Sequence, residues 1–463
     1  MRELELSISE MLKNGLRPEK VPTGAQVLTE CLGFRCGKLW LEGYGQLANP
    51  LVLDIPITWP FPVFIADEKY NILVVRDSIL AEDRVYEVSK DHDTIMLLHN
   101  LDFILYGQGS RIELADFGEY ALMVNGKVTI YKDILTNTWV LALAQAKIPL
   151  MGTICNFKGQ AVGGGITSTW YDCDEHYIIW SKIGELDFTP DRKNTAGYRR
   201  DPFGGVVQHT KRLGDTVIVY SSEGLTSMIP VREPAATFGF KEMYEIGIVN
   251  KGAISGSILR HLFVNSSYEL CEVTDKGVKV LGYQEYISRL ADKDIIVSYN
   301  QSSKDFYISN GTITFLYSPQ GLTEVFQHPS SVWYSENSQH MIPDIDDGRD
   351  PYLVTESIDF GFRGSKTIFV LELGITNYDQ ALVAIDWIMD RNNSGITAWV
   401  GENYQGVVNL IIAGTTFKVM MKLTGVTSDT VVSYIKLRYK MTDLRSIRGV
   451  YAPPPREIGR AHV

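Results

Sequence analysis

Five consecutive residues, Asp172, Cys173, Asp174, Glu175 and His176, are all of types that hold metal ions. In an extended chain neighbouring side chains point to opposite faces, so two or three of them at most can converge. A solvated turn is the favoured reading. Asp344, Asp346, Asp347 and Asp350 come closer to a calcium loop. The glycine at 348 breaks that order, however, and Thr355 stands where such a loop ends in glutamate. A polar linker fits better. His92, His99 and His209 are isolated, and a lone histidine is usually structural.

Nucleophile and phosphate motifs fare no better. Gly163-Gly164-Gly165 lacks the Gly-Lys-Ser/Thr that would make it a phosphate loop, and it lacks the dinucleotide spacing. Ser255, between Gly252 and Gly256, is one residue off the nucleophile elbow. Asn393 to Trp399 resembles the Asp-box turn of sialidase-type propellers, but it lacks the Asp and occurs once. No pair of carboxylates for glycoside chemistry can be singled out. The cysteines are Cys31, Cys36, Cys155, Cys173 and Cys271. An odd, sparse count speaks against a disulfide framework. The C-x4-C pair has no second pair at zinc spacing. No cofactor, metal or catalytic residue is therefore expected.

The elements that would position any site are β-strands. The chain has 463 residues, 45% of them hydrophobic and 21% charged, with mean hydropathy −0.04. That is a globular balance, which excludes disordered and fibrous chains. The longest apolar stretch, Trp139 to Cys155, is broken by Gln145, Lys147 and Pro149 and is too short to span a membrane. Arg2, Glu3 and Glu5 precede no apolar segment of the secretory kind. Net charge is −11, a poor match for a protein that clamps nucleic acid through its phosphates. The last residues, from Lys436 on, are basic, and the rest is correspondingly more acidic.

Residues 1–49 read as a lead-in arm. Ser7 with Glu10 resembles a capping box, Ile8, Met11 and Leu12 form an apolar stripe, and Gly15 supplies a stop. Residues 50–340 show short apolar runs separated by turn residues. Asn125-Gly126 and Asn310-Gly311 are hairpin signals of the type I′ kind. Ser222–Gly224, Asn250–Gly252, Asp275–Gly277 and Pro319–Gly321 are looser ones. Tyr283, Tyr286, Ile287 and Leu290 predict one short helix. A body of meanders this long fits a β-propeller of six or seven blades, each about 40–50 residues. Residues 341–352 form a polar linker, 353–446 a small β-sandwich, and 447–463 a Pro-rich extension. In the last strand Ile435, Leu437, Tyr439 and Met441 alternate with Lys436, Arg438 and Lys440. The fold class is all-β: an irregular propeller, then a sandwich, with a short helical arm in front.

This organisation resembles the tail hub or nozzle proteins of short-tailed bacteriophages. Three stretches carry the resemblance. One is Phe117-Gly118-Glu119-Tyr120 running into Asn125-Gly126. The second is Ile178-Ile179-Trp180-Ser181 with Tyr198, Pro202, Gly205–Val207 and Gly214–Tyr220. The third is Glu356 to Tyr439, with its Ser394-Gly395 hairpin and its ending Ser433 to Arg438. The resemblance implies a non-enzymatic virion protein made in the host bacterial cytoplasm. It implies a six-fold ring of identical subunits below the portal and adaptor proteins, with tail fibres or spikes attached and double-stranded DNA passing through. An acidic wall would let DNA slide, and loops would gate the channel. Gly107 and Gly109, Gly163 to Gly165, and Arg199 with Arg200 are the candidate gate positions. Lys436, Arg438 and Lys440 are the candidate docking strand. The alternatives are a propeller glycan hydrolase, or a module that binds a glycan or a protein.

Overall fold

The computed structural model describes residues 4–18, 27–44, 63–66, 71–77, 82–88, 95–97 and 111–442, the last apart from 119, 134–137, 142–146, 192–194, 232–237, 336–337, 343–347, 363, 377–379, 391 and 404. The chain is all-β, and its contacts divide it into two units. One comprises residues 47–317 and 326–347, and the other residues 1–46, 318–325 and 348–463.

The first unit is propeller-like. Among the described residues it holds five four-stranded antiparallel meanders. These begin at Val63–Ala66, Glu113–Asp116, Met151–Phe157, Val207–Leu213 and Ile254–Gly256. Three further strands follow, Ile296–Tyr299, Phe306–Ser309 and Thr314–Tyr317, and then the hairpin of Ser331–Ser335 with Ser338–Ile342. The blades stack because both faces of each sheet are apolar. In Tyr120–Val124, Ala121 and Met123 join a core with Ile72, Val74 and Val85 of the preceding blade. Leu122 and Val124 face the other way, onto Met151, Ile154 and Ala161 of the next. Ile178 and Ile179 divide in the same manner between neighbouring cores. A strand buried on both sides reads as an unbroken apolar run, and for this reason no repeat motif is needed to specify a blade.

The two Asn-Gly hairpins form, but not as type I′ turns. Only Gly126 and Gly311 have positive φ, each +84°. That is the II′ pattern, with glycine first of the two central residues. Asn125 and Asn310 precede the turn, and their side-chain oxygens accept the N–H groups of residues 127 and 128, and of 312 and 313. The short helix appears at Gln284–Ile287, continued by a 3-10 turn to Leu290.

The second unit is a sandwich. One sheet contains Phe34–Cys36, Leu41–Gly43, Val431–Met441, Lys366–Ile375 and Val407–Gly414, with Leu4–Ile8 added to Val431–Met441. The other contains Leu28–Leu32, Tyr352–Thr355, Thr416–Leu423 and Ala381–Asp390. Phe360 joins them, 4.1 Å from the Tyr439 ring of the first sheet and 5.9 Å from Phe417 of the second. The expected N-terminal arm is thereby corrected. Leu4, Leu6 and Ile8 alternate as a strand paired with Tyr439, Leu437 and Ile435. The helix is only Glu10–Asn14. Its cap position is Ser9, with no side-chain hydrogen bond, so Ser7 caps nothing.

Candidate functional site

The first strands of successive blades surround a cavity of about 830 Å³ in the propeller unit. One polar side chain from each of four blades meets there. Glu113 opens its strand, Thr153 and His209 lie on the next two, and Lys251 lies in the connection before Ile254–Gly256. Glu113 Oε2 accepts the Thr153 hydroxyl at 2.7 Å and the Ile154 N–H at 3.1 Å. His209 Nδ1 lies 2.8 Å from Glu113 Oε1, an ion-pair contact off the hydrogen-bond direction. Lys251 Nζ lies 3.4 Å from the same oxygen and donates to the carbonyls of Arg111 and Gly152. Thr153 Oγ1 also accepts the Thr210 N–H at 2.7 Å.

Burial pushes the Glu113 carboxyl up. The close contacts of His209 and Lys251 and the bond from Thr153 outweigh it and bring it down to about 2. Glu113 is therefore an anion at neutral pH, the opposite of what a glycosidase general acid requires. Burial pushes the Cys155 thiol up to about 12, so this cavity-wall sulfur is no thiolate nucleophile.

Behind the wall, His261 is fully buried. Its Nε2 lies 3.0 Å from the Arg212 carbonyl and its Nδ1 2.8 Å from the Tyr220 hydroxyl. The carbonyl can only accept, so Nε2 carries the proton and Nδ1 accepts from Tyr220. Burial first, then the charge of Lys211, lowers His261 to about 3.

Several expected positions lie elsewhere. Gly107 and Gly109 are outside the described residues, as are His92, His99, Asp344, Asp346 and Asp347. Gly163 to Gly165 do not form a gate loop. They are buried in the strand Gln160–Ile166, paired with Met151–Phe157 on one side and Tyr177–Trp180 on the other. Glycine is needed because the sheets approach closely. A Cβ on Gly164 would lie 2.5 Å from Val207 Cγ1 and 3.1 Å from the Tyr177 carbonyl. Gly164→Ala should cost about 1–3 kcal/mol, the usual price of overpacking, read as a lower urea midpoint at unchanged slope.

Arg199 and Arg200 belong to Gly197–Arg200, the outer strand of their blade, not to a loop. Arg199 lies over the Phe240 ring at 4.7 Å. The candidate docking strand is not a free basic edge either. Lys436 and Arg438 stand in Val431–Met441, between Leu4–Ile8 and Lys366–Ile375. Lys436 lies 3.2 Å from Glu5, and Arg438 lies 3.6 Å from Glu372. Lys440 lies over the Phe369 ring at 5.1 Å. Asp172 to His176 form a turn in which Asp174 accepts the His176 N–H. No metal-ligand cluster occurs among the described residues.

The cavity residues were hidden from sequence reasoning. His209 looks isolated in sequence but faces Glu113. Asn250–Gly252, expected as a hairpin, is the connection between blades that carries Lys251.

No family model matches the sequence, and no curated protein matches it. Among solved structures, the chain is similar to PorZ, a surface component of the type-IX secretion system of Porphyromonas gingivalis. The identity is 10% and the TM-score 0.37 over 67% of this chain, which spans 36% of PorZ. It is also similar to Hsv2 of Kluyveromyces lactis, with 10% identity and TM-score 0.33, covering 60% of this chain and 86% of Hsv2. Likeness at this level carries no argument about activity. The propeller-like description rests on the sheets themselves.

Proposed function

We propose that the chain is a structural subunit of a short-tailed phage tail, the hub or nozzle ring. In this reading six copies close a ring beneath the portal and adaptor, DNA passes through it, and fibres or spikes attach outside. The observation that carries the proposal is the outward face of the second sandwich sheet. There Tyr352, Lys422 and Leu382 form one cross-strand row, and Val354 and Met420 begin the next. Trp399 covers Lys422, its ring centroid 4.7 Å from the ammonium. Leu382 and Trp399 are 40% and 39% exposed. The opposite sheet presents a different outward face, the ion pairs of Glu5 and Glu372 with Lys436 and Arg438. A ring built by rotation joins two unlike surfaces of one subunit, and a mixed face with exposed Leu382 and Trp399 beside a face of ion pairs supplies such a pair.

Negative-stain microscopy of the purified chain, alone and with a portal–adaptor complex, tests this. The expected result is six-fold rings with a channel about as wide as a DNA duplex. Leu382→Asp should abolish them while leaving a folded monomer, because a buried unpaired charge opposes closure. A chain that stays monomeric under both conditions overturns the proposal and favours a propeller that hydrolyses or binds a glycan.

A further inference from the structure

The wall of the propeller cavity holds more positive charge than its own acids balance. Glu113 is fully engaged by His209, Lys251, Thr153 and the Ile154 N–H. Lys251 is engaged by Glu113 and two carbonyls. Two cations remain. Arg111 donates from Nη2 to the Ser330 carbonyl at 2.6 Å, but its Nη1 is sealed from solvent without a hydrogen-bond partner. Lys211 lines the cavity and makes no hydrogen bond or salt bridge among the described residues, although it interacts electrostatically with Glu113. Arg111, Lys211 and Lys251 thus surround one carboxylate, in a chain whose net charge is −11. Burial accordingly lowers the amines of Lys211 and Lys251, and lowers the Arg111 guanidinium to about 10. Cations partly withdrawn from water call for a counter-charge, and the described residues of this wall do not contain enough of it.

We infer that the cavity binds a small oxyanion, a phosphate group, between Arg111 and Lys211. A guanidinium fork with a free terminal nitrogen suits a tetrahedral oxyanion, and a lysine supplies the second point charge. The group is either free phosphate or the head of a small phosphorylated molecule, for which the cavity has room. The site is independent of ring closure, since every residue in it belongs to the propeller unit.

Titration calorimetry of the full chain with inorganic phosphate, at constant ionic strength, tests the assignment. A second arm uses ribose 5-phosphate. Wild type should bind saturably. Lys211→Met and Arg111→Gln should each bind at least tenfold more weakly. Lys211→Met should also be no less heat-stable than wild type without phosphate, because it removes a buried cation and keeps its stem; this separates lost binding from lost folding. Tighter binding of ribose 5-phosphate than of phosphate assigns a phosphorylated small molecule, and equal or weaker binding assigns the free anion. No heat from either probe, or undiminished affinity in a folded Lys211→Met, overturns the inference.

Discussion

Lowering the pH from 7.5 to 5 should cost the propeller unit about 2 kcal/mol, with His261 as the cause. The folded chain keeps this imidazole neutral down to about pH 3, whereas an unfolded histidine protonates near its ordinary value of 6.5. Between those values the unfolded state binds the extra proton, so stability falls as pH falls. At 1.36 kcal/mol per pH unit the loss reaches about 2 kcal/mol at pH 5 and about 4 kcal/mol near pH 3. That is a large part of the 5–15 kcal/mol typical of a domain. The charged groups facing His261 reinforce the effect, since Lys211 and His209 both disfavour a second cation. Nor is the ring near water, because it is fully buried against Tyr220, which in turn packs on the buried Phe263. Urea unfolding followed by tryptophan fluorescence at pH 7.5, 6 and 5 measures the slope. His261→Asn keeps an acceptor for the Tyr220 hydroxyl and cannot titrate, so its stability should be nearly flat over this range. Equal slopes in wild type and variant would assign the acid sensitivity elsewhere.

The same residues explain what could be read from the sequence. Blade strands were legible because each face of a sheet meets a neighbouring core. Tyr120–Val124 is apolar throughout, and Asn125-Gly126 ends it at the right place. The last strand was legible from its alternation. Its role was not, because Glu5 and Glu372, which neutralise Lys436 and Arg438, come from the first and a much earlier strand of the sheet. Leu4, Leu6 and Ile8 already carried a strand period, yet Ser7 and Glu10 imitated a helix start, and only pairing with Val431–Met441 decides between them. The cavity was not legible at all. Glu113 and Thr153 are 40 positions apart, and Thr153 and Thr210 are 57 apart. They meet because each opens a blade near the same centre. The usable signal was positional: a polar residue recurs in or just before the first strand of successive blades, at 113, 153, 209 and 251.

Glu113→Gln should destabilise the propeller unit by about 3–5 kcal/mol at pH 7, the cost of removing one partner of a buried ion pair. The substitution keeps the volume and one oxygen acceptor, so Thr153 and the Ile154 N–H can still bond. What is lost is the carboxylate that faces Lys251, Arg111 and Lys211 at that point of the wall. The carboxyl titration gives the same order. A fall from the ordinary value of 4.5 to about 2 corresponds to roughly 3 kcal/mol. This stability is present above pH 4.5 and disappears as pH falls through 2, because the unfolded chain takes up the proton first. Wild type and variant should therefore differ most near neutrality and converge in strong acid. Adding Lys251→Met to Glu113→Gln should recover part of the loss, since it withdraws one of the stranded cations. A double-mutant cycle should give a coupling of at least about 1 kcal/mol. If Glu113→Gln alone costs less than about 1 kcal/mol at pH 7, the carboxylate is not what holds these blades' first strands together. The cations would then be neutral or solvated in the native cavity, and the oxyanion site would lose its electrostatic basis as well.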